Sequence, residues 1–241
     1  MQIEGRNPVI EALSSNTQIS RIYVQNKISR NNKVANIFKL ANKKKIPLKI
    51  IGTHKLNQLS KTQNHQGVIA IVRYNYFNLK VTIQDLFEKN QDPFFVIIPD
   101  ILHEQNLGAI IRSSECAGCN GVIISKKINL SSETVRTSMG ATQHIPIIRE
   151  NLFNALKTLK KNGIKIIGLE ATGSKIIYDC DLRGPIAFII GAEDKGITMS
   201  ITPKCDIVLK IPLFGKISSL NMSNALSIAL FEKVRQELKN N

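Results

Sequence analysis

At 241 residues the chain is long enough for one large domain or two small ones, and its 43% hydrophobic content is ordinary for a globular protein with a packed core. No apolar run reaches the ~18 residues of a membrane span, and the polar start Met1–Pro8 lacks a secretion-type apolar core, so a cytoplasmic protein without a membrane partner is expected. The formal net charge of +15 is more than a bland surface needs and points to a polyanionic partner, with a solvated basic face as the alternative.

That charge is unevenly placed. Residues 1–73 hold 13 Lys/Arg against 2 Asp/Glu, a net of +11, and the remaining residues contribute only +4. A solvated helix end would account for Lys43-Lys44-Lys45, but not for the whole excess. The first third therefore reads as an electropositive α/β module. In chain order it comprises a helix at Arg6–Leu13, a strand at Arg21–Val24 and a helix at Val34–Lys45 with Val34, Ile37, Phe38 and Ala41 on one face. A strand at Leu48–Ile51, a short helix at Lys55–Leu59 with Thr53 as its N-cap, and a strand at Val68–Val72 complete it.

Residues 74–90 read as a linker, Tyr74–Leu79, and a leading helix, Thr82–Glu88. Residues 91–241 read as a second domain. Its apolar runs are unbroken at Phe94–Ile98, Val122–Ile124, Ile164–Ile167, Ile186–Ile190 and Ile207–Leu209. Helical stretches fall between and after them at Leu107–Ala117, Glu133–Met139, Leu152–Lys161 and Ser223–Leu238. Short continuous runs alternating with helices predict a parallel sheet covered on both faces. The four cysteines form no framework: Cys116 and Cys119 make a CxxC, which suits half a zinc site or a redox pair, but Cys180 and Cys205 stand apart, and reduced thiols without a metal are expected.

A parallel α/β sheet binds small molecules at the carboxyl ends of its strands. None of the 14 glycines begins a Gly-x-Gly, and Gly215-Lys216 is followed by Ile217, not by Ser or Thr. Dinucleotide binding and P-loop hydrolysis thus lack their signatures, and neither HExxH nor GxSxG is present. Three polar elements beside the strands remain. They are Asn106-x5-Arg112, Gly191-Ala-Glu193-Asp-Lys-Gly196, and Ile211-Pro-Leu213-Phe-Gly215 followed by Ser218-Ser219-Leu220-Asn221. Taken singly, each also suits a cap, a turn or a surface residue.

Together, in this order, they resemble the three motifs of the SpoU (TrmH-type) RNA ribose 2′-O-methyltransferases. Glu4-Gly5-Arg6-Asn7-Pro8-Val9-Ile10-Glu11-Ala12-Leu13 resembles the start of that family's small RNA-binding domain, and the whole chain is most similar to the RlmB-like branch acting on a guanosine of bacterial large-subunit ribosomal RNA. The resemblance implies a trefoil-knotted parallel-sheet methyltransferase domain behind the basic module, a homodimer, and S-adenosyl-L-methionine as cofactor. It implies Arg112, Asn106, Glu193, Ser219 and Asn221 as catalytic-site residues, with Ser219 bonding near Arg112, and Thr172, Gly191, Ile211, Leu213 and Leu220 around the cofactor. Gly191 is expected to let backbone approach the ligand. Asp194 and Lys195 stand where small residues are also common in the family. The resemblance makes Arg112 the base. Because a guanidinium is effectively always protonated, stabilisation of a developing alkoxide is the other form of that role. A transfer-RNA substrate, and a non-catalytic RNA-binding assembly protein on the same fold, stay open as alternatives.

Overall fold

The structure is a computed structural model that describes residues 2–15, 17–26, 28, 32–191 and 196–238. The chain forms two compact units, Met1–Asn75 with Leu130–His144, and Tyr76–Asn129 with Ile145–Asn241.

In the first unit β1 (Gln2–Glu4), β4 (Val68–Arg73), β2 (Gln18–Gln25) and β3 (Leu48–Ile51) lie side by side in that order. β4 is antiparallel to both β1 and β2, and β2 is parallel to β3. Helices α1 (Arg6–Ser14), α2 (Asn32–Lys43) and α3 (Thr53–Leu59) connect them. Val9, Ala12 and Leu13 of α1 meet Ile37 and Ala41 of α2 over Ile22, Val24 and Ala70 of the sheet. Thr53 is not the cap of α3. The helix starts on it, Gly52 occupies the cap position, and the Thr53 hydroxyl accepts a hydrogen bond from Gln25 Nε2 at 3.0 Å.

Leu130–His144, which the sequence reading keeps inside 91–241, belongs to this first unit. Its helix α6 (Ser132–Thr137) places Val135, fully buried, in the first unit's core. His144 Nε2 meets Glu11 Oε2 at 2.8 Å, and Tyr74 donates to the carbonyl of Thr142 at 3.2 Å.

The second unit is a seven-stranded sheet ordered β7 (Ile147–Glu150), β6 (Gly121–Ser125), β5 (Phe94–Ile98), β10 (Ile186–Ile190), β8 (Lys165–Leu169), β11 (Ile207–Lys210), β9 (Lys175–Ile176). Every pairing is parallel. The central strands β5, β6 and β10 are buried at every position, as two covered faces require. On one face α4 (Leu79–Glu88) and α7 (Leu152–Lys161) pack Ile83 and Leu156 against Phe95, Ile97 and Ile189. On the other, α5 (Glu104–Cys116) packs on α8 (Met222–Leu238), whose Lys233 Nζ lies 5.0 Å from the Phe94 ring centre. α4 begins three residues before the expected start because Asn78 Oδ1 accepts from the amides of Lys80 and Val81.

Two insertions decide where a site can form. β10 enters between β5 and β8, and β11 enters between β8 and β9, in each case after both neighbours have been laid down in sequence. The loops leaving β8, β10 and β11 therefore emerge side by side at one edge of the sheet.

Candidate functional site

Those three loops and the start of α8 enclose a cavity of about 480 Å³, within the roughly 300–1,000 Å³ of small-molecule sites. β8 contributes Leu169 and the following Glu170, Ala171 and Thr172. β10 contributes Ile190 and Gly191, and β11 contributes Leu209 with Ile211 and Leu213 beyond it. Ser219, Leu220, Asn221, Met222 and Ala225 close the remaining side. The walls are mainly aliphatic, with hydroxyl, carboxamide and backbone groups interspersed. Among the described lining residues Glu170 is the one ionisable side chain.

The chain crosses itself tightly at this rim. A Cβ on Gly191 would lie 1.9 Å from the carbonyl carbon of Gly196, and one on Gly173 would lie 2.4 Å from that of Leu209. Gly191 is therefore required by a close passage of two backbones at the wall of the cavity that it lines. Gly196, at φ +58°, turns against Glu170, whose Oε1 also accepts from the amide of Ile197 at 3.3 Å.

The cavity gathers Thr172, Gly191, Ile211, Leu213 and Leu220, and also Ser219 and Asn221. Asn106 sits in the first turn of α5, where His103 holds the cap position, and Asn221 Nδ2 donates to Asn106 Oδ1 at 3.2 Å. Asn221 Oδ1 accepts from the amide of Ser223 at 2.9 Å and from its hydroxyl at 2.6 Å, so Asn221 and not Ser219 organises the start of α8. Arg112 is exposed on α5, six residues and thus about 9 Å along the axis from Asn106. It is not part of the cavity lining, and Ser219 lines the cavity without a hydrogen bond to it among the described residues. Ser227 Oγ donates to Ser113 Oγ at 2.8 Å, fixing α5 beside Arg112 against α8. Glu193 lies outside the described residues, as do Asp194 and Lys195.

Glu170, Leu169, Ile190 and Met222 escaped the sequence reading. Each lies at a strand end or helix start, and the rule that parallel sheets bind at carboxyl edges would have included the first three. The cysteines are free, with Cys119 buried and Cys116 exposed; burial first, then Asp206, pushes the Cys205 thiol up to about 11. Among the described residues no three His, Cys, Asp or Glu side chains cluster as a metal cage, and no helix is long and apolar enough to cross a membrane.

An all-parallel sheet with an aliphatic and polar cavity over three adjacent carboxyl ends defines an α/β protein that binds a small organic ligand. Residues 93–231 match the SpoU rRNA Methylase family, and residues 2–77 match the RNA 2′-O ribose methyltransferase substrate-binding domain. The TrmH-family protein YacO of Bacillus subtilis is 33% identical over 96% of this chain and 94% of its own length. The crystal structure of the SpoU methyltransferase AviRb from Streptomyces viridochromogenes superposes with a TM-score of 0.85 at 21% identity, covering 100% of this chain and 91% of that one. An AdoMet-bound rRNA methyltransferase from Sinorhizobium meliloti gives 0.81 at 24% identity, covering 97% and 86%. The chain belongs to the SpoU family of RNA methyltransferases.

Proposed function

We infer that the protein transfers a methyl group from S-adenosyl-L-methionine to the ribose 2′-hydroxyl of a guanosine in bacterial large-subunit ribosomal RNA. The observation that carries this reading is the single cavity on which three sequence-distant loops converge at the carboxyl ends of β8, β10 and β11. The cofactor is S-adenosyl-L-methionine, and the lining fits it. Leu209, Ile211 and Leu213 offer apolar surface for a purine, while Thr172, Ser219, Asn221 and Glu170 offer partners for its polar edge, ribose and amino group. When bound, the cofactor supplies a methyl group on a sulfonium, already a good leaving group.

The chain itself must hold the ribose in line, exclude water and manage the hydroxyl proton. Asn106 holds the ribose or an adjoining phosphate, in an orientation set by Asn221. Arg112 remains cationic and stabilises the developing alkoxide and a neighbouring phosphate, with the proton lost to water or phosphate. Glu193 orients these groups.

The net of +11 in residues 1–73 supports RNA as the partner. Similarity along the whole chain, basic module included, favours ribosomal over transfer RNA. The double strand insertion supports a knotted chain path. Phe214 and Ile217, 95% and 77% exposed on the loop after β11, support a homodimer that covers them. The protein acts in the cytoplasm. Mapping 2′-O-methylation across total RNA from cells with and without the protein tests this reading. Loss of one guanosine methyl in large-subunit RNA supports it, and loss in transfer RNA moves the substrate. No loss, together with no cofactor binding by calorimetry, replaces the enzyme with an RNA-binding assembly protein.

A further inference from the structure

We propose that the first unit holds one unpaired nucleobase of the RNA in a small pocket of its own, formed by the start of α1, the loop before β4 and the end of α6. This deepens the RNA-binding reading above and rests on it. The pocket measures about 140 Å³, room for a single flat heterocycle but not for a helix. Asn7, Asn64, Gln66, Arg136 and Met139 line it, over a floor that includes Glu4.

The polar groups are arranged for a base edge. The Asn7 carboxamide has no hydrogen-bond partner among the described residues. Gln66 is held by its acceptors alone: its Oε1 accepts from the amide of Arg6 at 3.2 Å and its backbone carbonyl from Arg6 Nε at 3.1 Å, leaving the Nε2 donors for a ligand. Asn64 uses Nδ2 on the carbonyl of Thr62 at 3.2 Å and keeps Oδ1 as an acceptor. Arg136 engages Glu133 through Nε and Nη2, with Nη1 remaining. The floor is not a bare anion, because Glu4 accepts from Gln2, Ser60, Lys61 and Thr62. Mixed donors and acceptors suit a base edge, whereas a phosphate would call for donors only.

The backbone is also held unusually here. Gln63, Gln66 and Met139 all have left-handed φ, at 56°, 51° and 53°, a conformation that non-glycine residues adopt at a cost. Met139 is 48% exposed, so its thioether offers a polarisable face for a ring. Proteins read single-stranded RNA by taking an unstacked base against such a surface and bonding its edge.

The test titrates the full-length protein into fluorescent single-stranded RNA of one base type, for each base in turn, and into the same backbone carrying abasic sites. Asn7→Ala is expected to weaken binding about tenfold on at least one base-bearing strand. The abasic strand should be little affected and the salt slope unchanged, since no phosphate contact is lost. Met139→Gly removes one wall while relaxing a left-handed residue, so it should lose the same preference in a fold at least as stable. Equal losses on base-bearing and abasic strands, a reduced salt slope, or no loss from either variant would overturn the proposal. Calorimetry with S-adenosylmethionine on the same proteins reads the methyltransferase function separately and should show wild-type affinity throughout.

Discussion

Asn221 donates from Nδ2 to Asn106 Oδ1 at 3.2 Å across 115 positions of sequence, while its own Oδ1 accepts from Ser223. One carboxamide thus caps α8 and ties it to the first turn of α5. Asn221→Asp keeps the acceptor, and its charge suits a helix N-terminus. It should melt close to the wild type yet lose the tie to Asn106. Asn221→Ala loses both and should cost about 1–2 kcal/mol. In a double-mutant cycle with Asn106→Ala, a coupling of about 1 kcal/mol is expected. A coupling of zero by urea unfolding would show that the pair contributes nothing.

Arg112 is exposed further along α5 and outside the cavity lining, so cofactor affinity and turnover should separate at this residue. Arg112→Ala is expected to bind S-adenosylmethionine normally and to lose roughly 10²–10³-fold in single-turnover methyl transfer to RNA. Arg112→Lys should recover little, because an ammonium lacks the planar fork. Near-normal transfer by Arg112→Ala would remove Arg112 from the reaction.

Gly191 and Gly215 both lie in the motif elements, and the structure sets them apart. A methyl group on Gly191 would run into the Gly196 backbone, whereas one on Gly215 meets nothing within 4 Å. Gly191→Ala should destabilise by about 1–3 kcal/mol or more and speed hydrogen exchange at Leu169–Thr172, with cofactor binding lost as a consequence. Gly215→Ala should match the wild type in both measurements. Normal stability in Gly191→Ala would mean that the two backbones separate easily.

The contrast between Phe94–Ile98 and Lys175–Ile176 explains what sequence could reveal. A strand buried on both faces leaves an unbroken apolar run, so β5 and β10 are legible to the residue. β9 is two residues long and half exposed, and β7 carries Arg149 and Glu150 in its last two positions. Neither has enough periodicity to be seen. α6 shows a different limit. Its helical pattern is plain, but Val135 looks the same in either core, and only the folded chain assigns it to the first unit. Ile211 and Leu220 lie in a family motif, and Thr172 follows from the family resemblance alone. Glu170 has no such signal, since one acid after a strand more often marks a turn.

Glu4 should make the first unit acid-sensitive. Its own burial pulls the carboxyl up, but hydrogen bonds from Ser60, Thr62 and the amides of Lys61 and Thr62 together hold it below the ordinary value of 4.5. A carboxyl depressed in the folded state stabilises that state above the unfolded value, and the contribution drains away as pH falls through the folded one. Stability of the wild type should therefore be flat above about pH 5 and decline below 4.5. Glu4→Gln should cost about 2 kcal/mol at neutral pH and remove most of this decline. Urea midpoints measured against pH check it, and parallel curves for the two proteins would assign the acid sensitivity elsewhere.

The positive charge of the first unit is best tested without deleting it. Removing residues 1–73 would strip the cover from buried Val135, so lost RNA binding in that truncation would not separate charge from unfolding. Lys39, Lys43, Lys49 and Lys55 are exposed, and replacing each by Gln leaves the core untouched. Lys44 is best left in place, because it donates to the carbonyl of Ser15. If these lysines meet the RNA backbone, the slope of log affinity against log salt should fall by roughly 0.7 for each single-strand phosphate released. Affinity at low salt should fall with it, while cofactor binding in the second unit stays constant. A quadruple variant with an unchanged salt slope would make this charge a solvated face and place the RNA anchor elsewhere on the protein.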